Sequence, residues 1–208
     1  MSAAYDTYQI NIRRAQNFIV LYNSATENRG PGRRDTLTTD ILRAGVVFLH
    51  STLEDYLRSI ILSKKIAMLN TTEVDFRAVL ANVNLVGDNT GKSSVRKYAL
   101  GEFWDVKDKS VITIVEEALR DKVSYMTFND YSQIVASLST VGIKLSINFN
   151  PDGIIDNYIN RRHKIVHEAD NNSVHGPGNY KATSINANTL TAWINAVNAL
   201  VGDIEAQL

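Results

Sequence analysis

The chain has 208 residues, of which 44% are hydrophobic and 21% charged, enough apolar material for the core of one domain. Its 22 Lys and Arg residues balance 22 Asp and Glu residues, which argues against a surface built wholly as a nucleic-acid footprint and leaves room for a small basic site on a neutral body. Cysteine is absent, so disulfides and thiolate metal ligands are excluded.

The opening Met1-Ser2-Ala3-Ala4-Tyr5-Asp6 has no basic region followed by an apolar one, so no secretory signal is expected there. The longest apolar-leaning run, Ala44 to Leu49, is far too short to cross a bilayer, and the reading is a soluble, cytoplasmic protein without membrane contact. From Tyr5 to Thr26, the residues Tyr8, Ile12, Ala15, Ile19 and Tyr22 recur at helical spacing and predict an amphipathic helix. The segment from Asn28 to Arg34, rich in Arg, Gly and Pro, breaks it; it reads as a solvated loop whose three arginines could touch RNA.

The next helix is predicted over Thr39 to Leu69, capped by Thr38 or Thr39. Its stripe of Leu42, Val46, Leu49, Leu53, Leu57, Ile60 and Ile61 marks a central core helix. His50, Glu54 and Arg58 follow one another at four-residue steps on its flank, either as a surface ion-pair ladder or with Glu54 supporting an active site. A short helix through Phe76, Val79 and Leu80 comes next. Gly87-Asp88-Asn89-Thr90-Gly91-Lys92-Ser93 looks like a phosphate-binding loop, but three residues rather than four separate its glycines, so it reads as a surface turn. Phe103 and Trp104 lie in a stretch from Leu100 to Val106 that is irregular or a short helix.

Further helices are predicted from Asp108 to Phe128 and, behind an Asn129 or Asp130 cap, through Tyr131, Ile134, Val135 and Leu138 to a stop at Gly142. Ile143 to Phe149 alternates like a short extended piece, and one strand alone makes no sheet. Asn150, Pro151 and Asp152 then start a helix with Ile154, Ile155, Tyr158, Ile159, Ile165 and Val166 as its buried face, ending near Ala169. After a loop from Asp170 to Gly178, a last helix opens at Asn186 or Asn188 and carries Leu190, Trp193, Ile194, Val197, Leu200, Val201 and Ile204. The whole reads as a single all-α domain over residues 1–208, a helical bundle with extra helices and irregular loops.

One stretch is dense in chemistry. Arg161-Arg162-His163-Lys164-Ile165-Val166-His167 holds two arginines, a lysine and two histidines. Arg162 and His167 are five residues apart, roughly 140° around a helix, so a single undisturbed helix does not close both on one small ligand. A second copy of the helix crossing nearby would, as would a loosening of the helix at its end. His167 stands near the helix C-terminus, where the dipole favours a cationic imidazole suited to general acid–base work on a phosphodiester. Arg162, permanently charged and fork-shaped, suits a phosphate or the charge of a phosphorane-like transition state.

Arg162-His163-Lys164-Ile165-Val166-His167 resembles the Arg-x4-His signature of the HEPN superfamily, with a polar residue after the arginine. The Glu54 helix, Phe48-Leu49-His50-Ser51-Thr52-Leu53-Glu54-Asp55-Tyr56-Leu57-Arg58, is similar to the glutamate-bearing early helix of many HEPN domains. The late position of the signature, with one helix after it, resembles RiboL-PSP-type HEPN proteins over most of the chain. The resemblance implies a metal-independent endoribonuclease without cofactor, acting as a homodimer with two motif helices in one cleft. It further implies toxin–antitoxin or antiphage-defence work, with a partner protein holding the enzyme inactive. Carried over, Arg162 and His167 are the catalytic pair, His163 the adjacent polar residue and Glu54 a supporting acid. Arg161 departs from the pattern as a second arginine that could share the phosphate contact.

Other readings stand beside this one. Arg162 could pair with Asp156 or Glu168, and His167 could cap its own helix. The bundle could be a non-catalytic module binding a partner protein or a nucleotide. A metal hydrolase using His163 and His167 lacks a third ligand, and Arg162 and Lys164 would repel a cation.

Overall fold

The computed structural model describes residues 2–27, 30, 35–69, 110–145, 150–171 and 182–208. Among them are six α-helices: α1 (Ala3–Thr26), α2 (Thr36–Leu69), α3 (Val111–Ser124), α4 (Tyr131–Ser139), α5 (Ile154–Glu168) and α6 (Ala187–Glu205). The only extended pairing among the described residues is an isolated antiparallel bridge between Asn171 and Ala182, so the all-α expectation is met. The predicted helix through Phe76, the Gly87–Ser93 turn, the Phe103–Trp104 stretch and the arginines of the first loop lie outside the described residues.

The chain divides into two compact units, Met1–Leu57 with Thr127–Leu208, and Arg58–Met126. In the second unit, Ser110 caps α3 by accepting the Thr113 N–H at 3.2 Å, as a short polar side chain does at a helix start. Among its described residues, Leu69, Val115 and Leu119 form a buried cluster, with Leu62 packed against them. Arg58 closes this unit by giving both Nε and Nη2 to the Met126 carbonyl, at 2.8 and 2.6 Å.

The first unit is the larger. In it α1 and α5 each pack on α6, whose Leu190, Trp193, Ile194, Val197, Leu200, Val201 and Ile204 are all buried. The predicted stripe of α2 is likewise buried from Leu42 to Leu57. Gly45 lets these helices approach: a Cβ there would stand 2.7 Å from Leu190 Cδ2 and 3.0 Å from Phe18 Cβ. Buried tyrosines find partners, Tyr8 with Asn198 at 2.7 Å and Tyr56 with Glu205 at 2.8 Å. Ser2 caps α1 and also donates its backbone N–H and hydroxyl to Glu205, at 2.9 and 2.6 Å.

Two helix starts differ from the sequence expectation. Asp35, not Thr38 or Thr39, caps α2: its carboxylate accepts the Thr38 N–H at 2.7 Å and the Thr38 hydroxyl at 3.0 Å, a charged acceptor at the positive end of the dipole. Pro151 does not begin α5. Pro151–Gly153 is a 3-10 turn, and the left-handed Asp152 (φ 55°) and Gly153 (φ 64°) delay the helix to Ile154. Asn150 still serves it, accepting the Ile155 N–H at 2.8 Å and donating to Asp156 at 2.7 Å. For α4 and α6, Asp130 and Asn186 cap as the sequence offers.

Candidate functional site

All five residues singled out by the sequence lie in the first unit, on α2 and α5. The first half of α5 is anchored by Ile155, Tyr158 and Ile159, which are buried. The expected burial then ends: Ile165 is only half-buried and Val166 is 46% exposed. With Arg162 as zero and 100° per residue, Val166 stands about 40° away, His163 about 100° and His167 about 140°. Ile155 and Ile159, at about 20° and 60°, share that side. The face that enters the core at Ile155 therefore comes out of it at Val166, between Arg162 and the two histidines.

His163 and His167 are both exposed, and their rings lie 4.5 Å apart between centroids at 43°, as residues one turn apart allow. Arg162 is half-buried, and its Nε is shut away from solvent with no hydrogen-bond partner among the described residues. Asp156 is taken by the Tyr131 N–H at 2.8 Å and by Asn150, and no ion pair among the described residues joins Arg162 to it or to Glu168.

Arg161, one residue earlier, is tied down through its Nη2, while its Nε, like that of Arg162, is buried with no hydrogen-bond partner among the described residues. Its Nη2 donates to Asp170 Oδ2 at 2.8 Å and to the carbonyls of Thr183 and Ser184 at 2.7 and 3.3 Å. Burial pulls this guanidinium below its ordinary value, with Asp170 acting against that and Arg43 adding to it. Arg43 of α2 meets the same carboxylate oxygen, Nε to Oδ2 at 2.6 Å, and holds Thr39, Asp40 and the Thr183 carbonyl with its remaining groups. Asp170 itself is fully buried. Sequence reading missed this group because Asp170 falls in a loop composition and Arg43 on a helix flank. The only signal was a lone arginine on the edge of an apolar stripe.

The His50, Glu54, Arg58 ladder does not form as a surface feature. His50 is 1% exposed; its Nδ1 lies 3.1 Å from the Tyr158 hydroxyl, and its Nε2 is 3.3 Å from Glu54 Oε1 but poorly aligned for a hydrogen bond. Glu54 also accepts the Phe128 N–H at 3.3 Å, while Arg58 serves Met126 instead. Burial, then the nearby Glu54 charge, drives the Tyr158 hydroxyl well above its ordinary value, against the pull of Arg162, so it stays protonated and can donate to His50. A buried polar group thus runs from Glu54 and His50 on α2 to Tyr158, one turn before Arg162.

Around its C-terminus, α5 leaves the helix through two successive left-handed residues, Ala169 (φ 49°) and Asp170 (φ 57°), both of whose N–H groups return to the Lys164 carbonyl. Among the described residues, no three His, Asp or Glu side chains converge as a metal site, and no helix is long and apolar enough to cross a membrane. No curated protein and no solved structure matches the chain. The family model RiboL-PSP-HEPN matches residues 9–208.

Proposed function

The chain belongs to the RiboL-PSP-HEPN family, and on that premise we propose that it is a metal-independent endoribonuclease of the toxin or antiphage-defence type, working in the cytoplasm as a homodimer. The observation that carries this reading is the contrast between two neighbours. Arg161 gives its Nη2 to Asp170, while Arg162 makes no hydrogen bond or ion pair among the described residues and stands beside the exposed imidazoles of His163 and His167.

In this reading a second copy lays its own α5 across the face that emerges at Val166, and Arg162 of one copy meets His167 of the other. The dimer resolves the angular separation of the two residues and covers Val166. The RNA 2′-oxygen attacks its own phosphorus, a new O–P bond forms and the bond to the 5′-oxygen breaks, leaving a 2′,3′-cyclic phosphate and a free 5′-hydroxyl. Arg162 neutralises charge on the non-bridging oxygens, and His167, with His163 beside it, moves the proton between the two hydroxyls. Glu54 supports Arg162 through the His50 and Tyr158 group. Arg161 is assigned to structure rather than to phosphate. A partner protein seated on the same exposed face would hold the enzyme silent.

The test is mutational. Arg162→Ala and His167→Ala should each lower RNA cleavage by about a hundredfold or more, with helix content and dimer mass as in the parent. Cleavage at the parent rate by His167→Ala would contradict the assignment.

A further inference from the structure

Asp170 lies three residues beyond His167, in the turn that ends α5. Its carboxylate oxygen Oδ2 receives Arg43 from α2 and Arg161 from α5, at 2.6 and 2.8 Å. Its backbone is held as well: its N–H reaches the Lys164 carbonyl at 3.0 Å and its own carbonyl accepts the Thr183 N–H at 3.0 Å. The pair Arg161–Asp170 therefore spans the last two turns of the helix, on a side about 160° from His163 and about 120° from His167. Arg43 fixes the same point to a different helix. Three charges thus meet at the end of α5, with Asp170 fully buried and its Oδ1 without a hydrogen-bond partner among the described residues.

We propose that Asp170 is a positioning residue: clamped by Arg43 and Arg161, it locks the final turns of α5 and so sets where the His163 and His167 rings stand. The clamp rests on its own geometry, and only its consequence for RNA cleavage rests on the ribonuclease reading. The strained exit through Ala169 and Asp170 is part of the device, because two consecutive left-handed residues without glycine persist only where surrounding contacts hold them.

The experiment compares the full chain with Asp170→Asn, which keeps the size and the tolerance for a left-handed backbone but removes the charge. Histidine-selective NMR should show a ring–ring contact between His163 and His167 in the parent and its loss in Asp170→Asn, with helix content unchanged. A retained contact and unchanged ring shifts would overturn the proposal. On RNA, kcat should fall by about tenfold or more with KM little changed, and an unchanged kcat would also overturn it. Should Asp170→Asn not fold, Arg161→Lys carries the same two readouts with the charge kept and the fork removed, and retained contact there would overturn the clamp. A parent inactive on RNA would sink the ribonuclease reading and leave the ring-contact test standing.

Discussion

Arg161 reaches 2.8 Å from Asp170 along the back of α5, a contact that the arginine that follows does not make among the described residues. A half-buried guanidinium against a buried carboxylate is structural: removing it leaves Asp170 with Arg43 alone, and leaves the Thr183 and Ser184 carbonyls without this donor. Removing one donor from a charge group that keeps its other arginine costs about 1–3 kcal/mol. Arg161→Ala should therefore lower the urea midpoint strongly. Arg162→Ala, which removes no protein hydrogen bond seen at its Nε, should change the midpoint little while removing activity. Equal stability losses for the two would contradict the division of labour.

Tyr158 and His50 offer a second test. Tyr158→Phe keeps the ring that packs near Trp193 and leaves His50 Nδ1 buried without a partner. The expected cost is about 1–2 kcal/mol, read in chemical denaturation. A neutral substitution would mean that the hydroxyl contributes nothing to the polar group behind Arg162.

Ala169 adopts φ 49°, a conformation that costs an L-residue with a side chain about 1 kcal/mol and glycine almost none. Ala169→Gly should raise the Tm by about 2–4 °C in a chain of this size. A lowered Tm would show that the turn is held by more than its backbone geometry.

At the other end of the chain, acid should loosen the first unit through Glu205. Burial pushes this carboxyl up, but the hydrogen bonds from Ser2 and Tyr56 outweigh it and hold the group below its ordinary 4.5. A depressed carboxylate contributes stability that is present above its unfolded value and lost as the pH falls through the folded one. Thermal melts of the parent should fall across that acid range below about 4.5, and Glu205→Gln should flatten the fall. An unchanged acid limb in the variant would assign the effect elsewhere.

The fold was largely legible because each described helix writes its buried stripe at a period of 3.6, from Tyr8 to Ile204. What periodicity does not carry is the fate of polar residues on helix flanks. His50 fits a surface ladder beside the α2 stripe and Arg43 carries no signal beyond being a lone arginine at its edge, yet both are buried because their partners, Tyr158 and Asp170, arrive from more than a hundred residues away. Val166 fails in the opposite sense: its spacing fits the α5 core, but the helix has left that core by its position. The start of α5 was misplaced because a left-handed Asp152 has no mark in a sequence that otherwise reads as a helix opening. At the candidate site, the motif residues were legible from their types and spacing. The contact of Arg161 with Asp170 was not, since nine residues and a loop composition separate the two.

The central claim is RNA cleavage by the chain's own residues, and the most direct measurement is of product ends. Purified protein and His167→Ala are incubated with total RNA and defined tRNAs in EDTA, and the fragment termini are determined. Fragments with 2′,3′-cyclic phosphate ends from the parent, and none from His167→Ala, are the predicted result. Identical fragments from both proteins would contradict the account, and intact RNA from both would favour a non-catalytic module that binds a protein or a nucleotide.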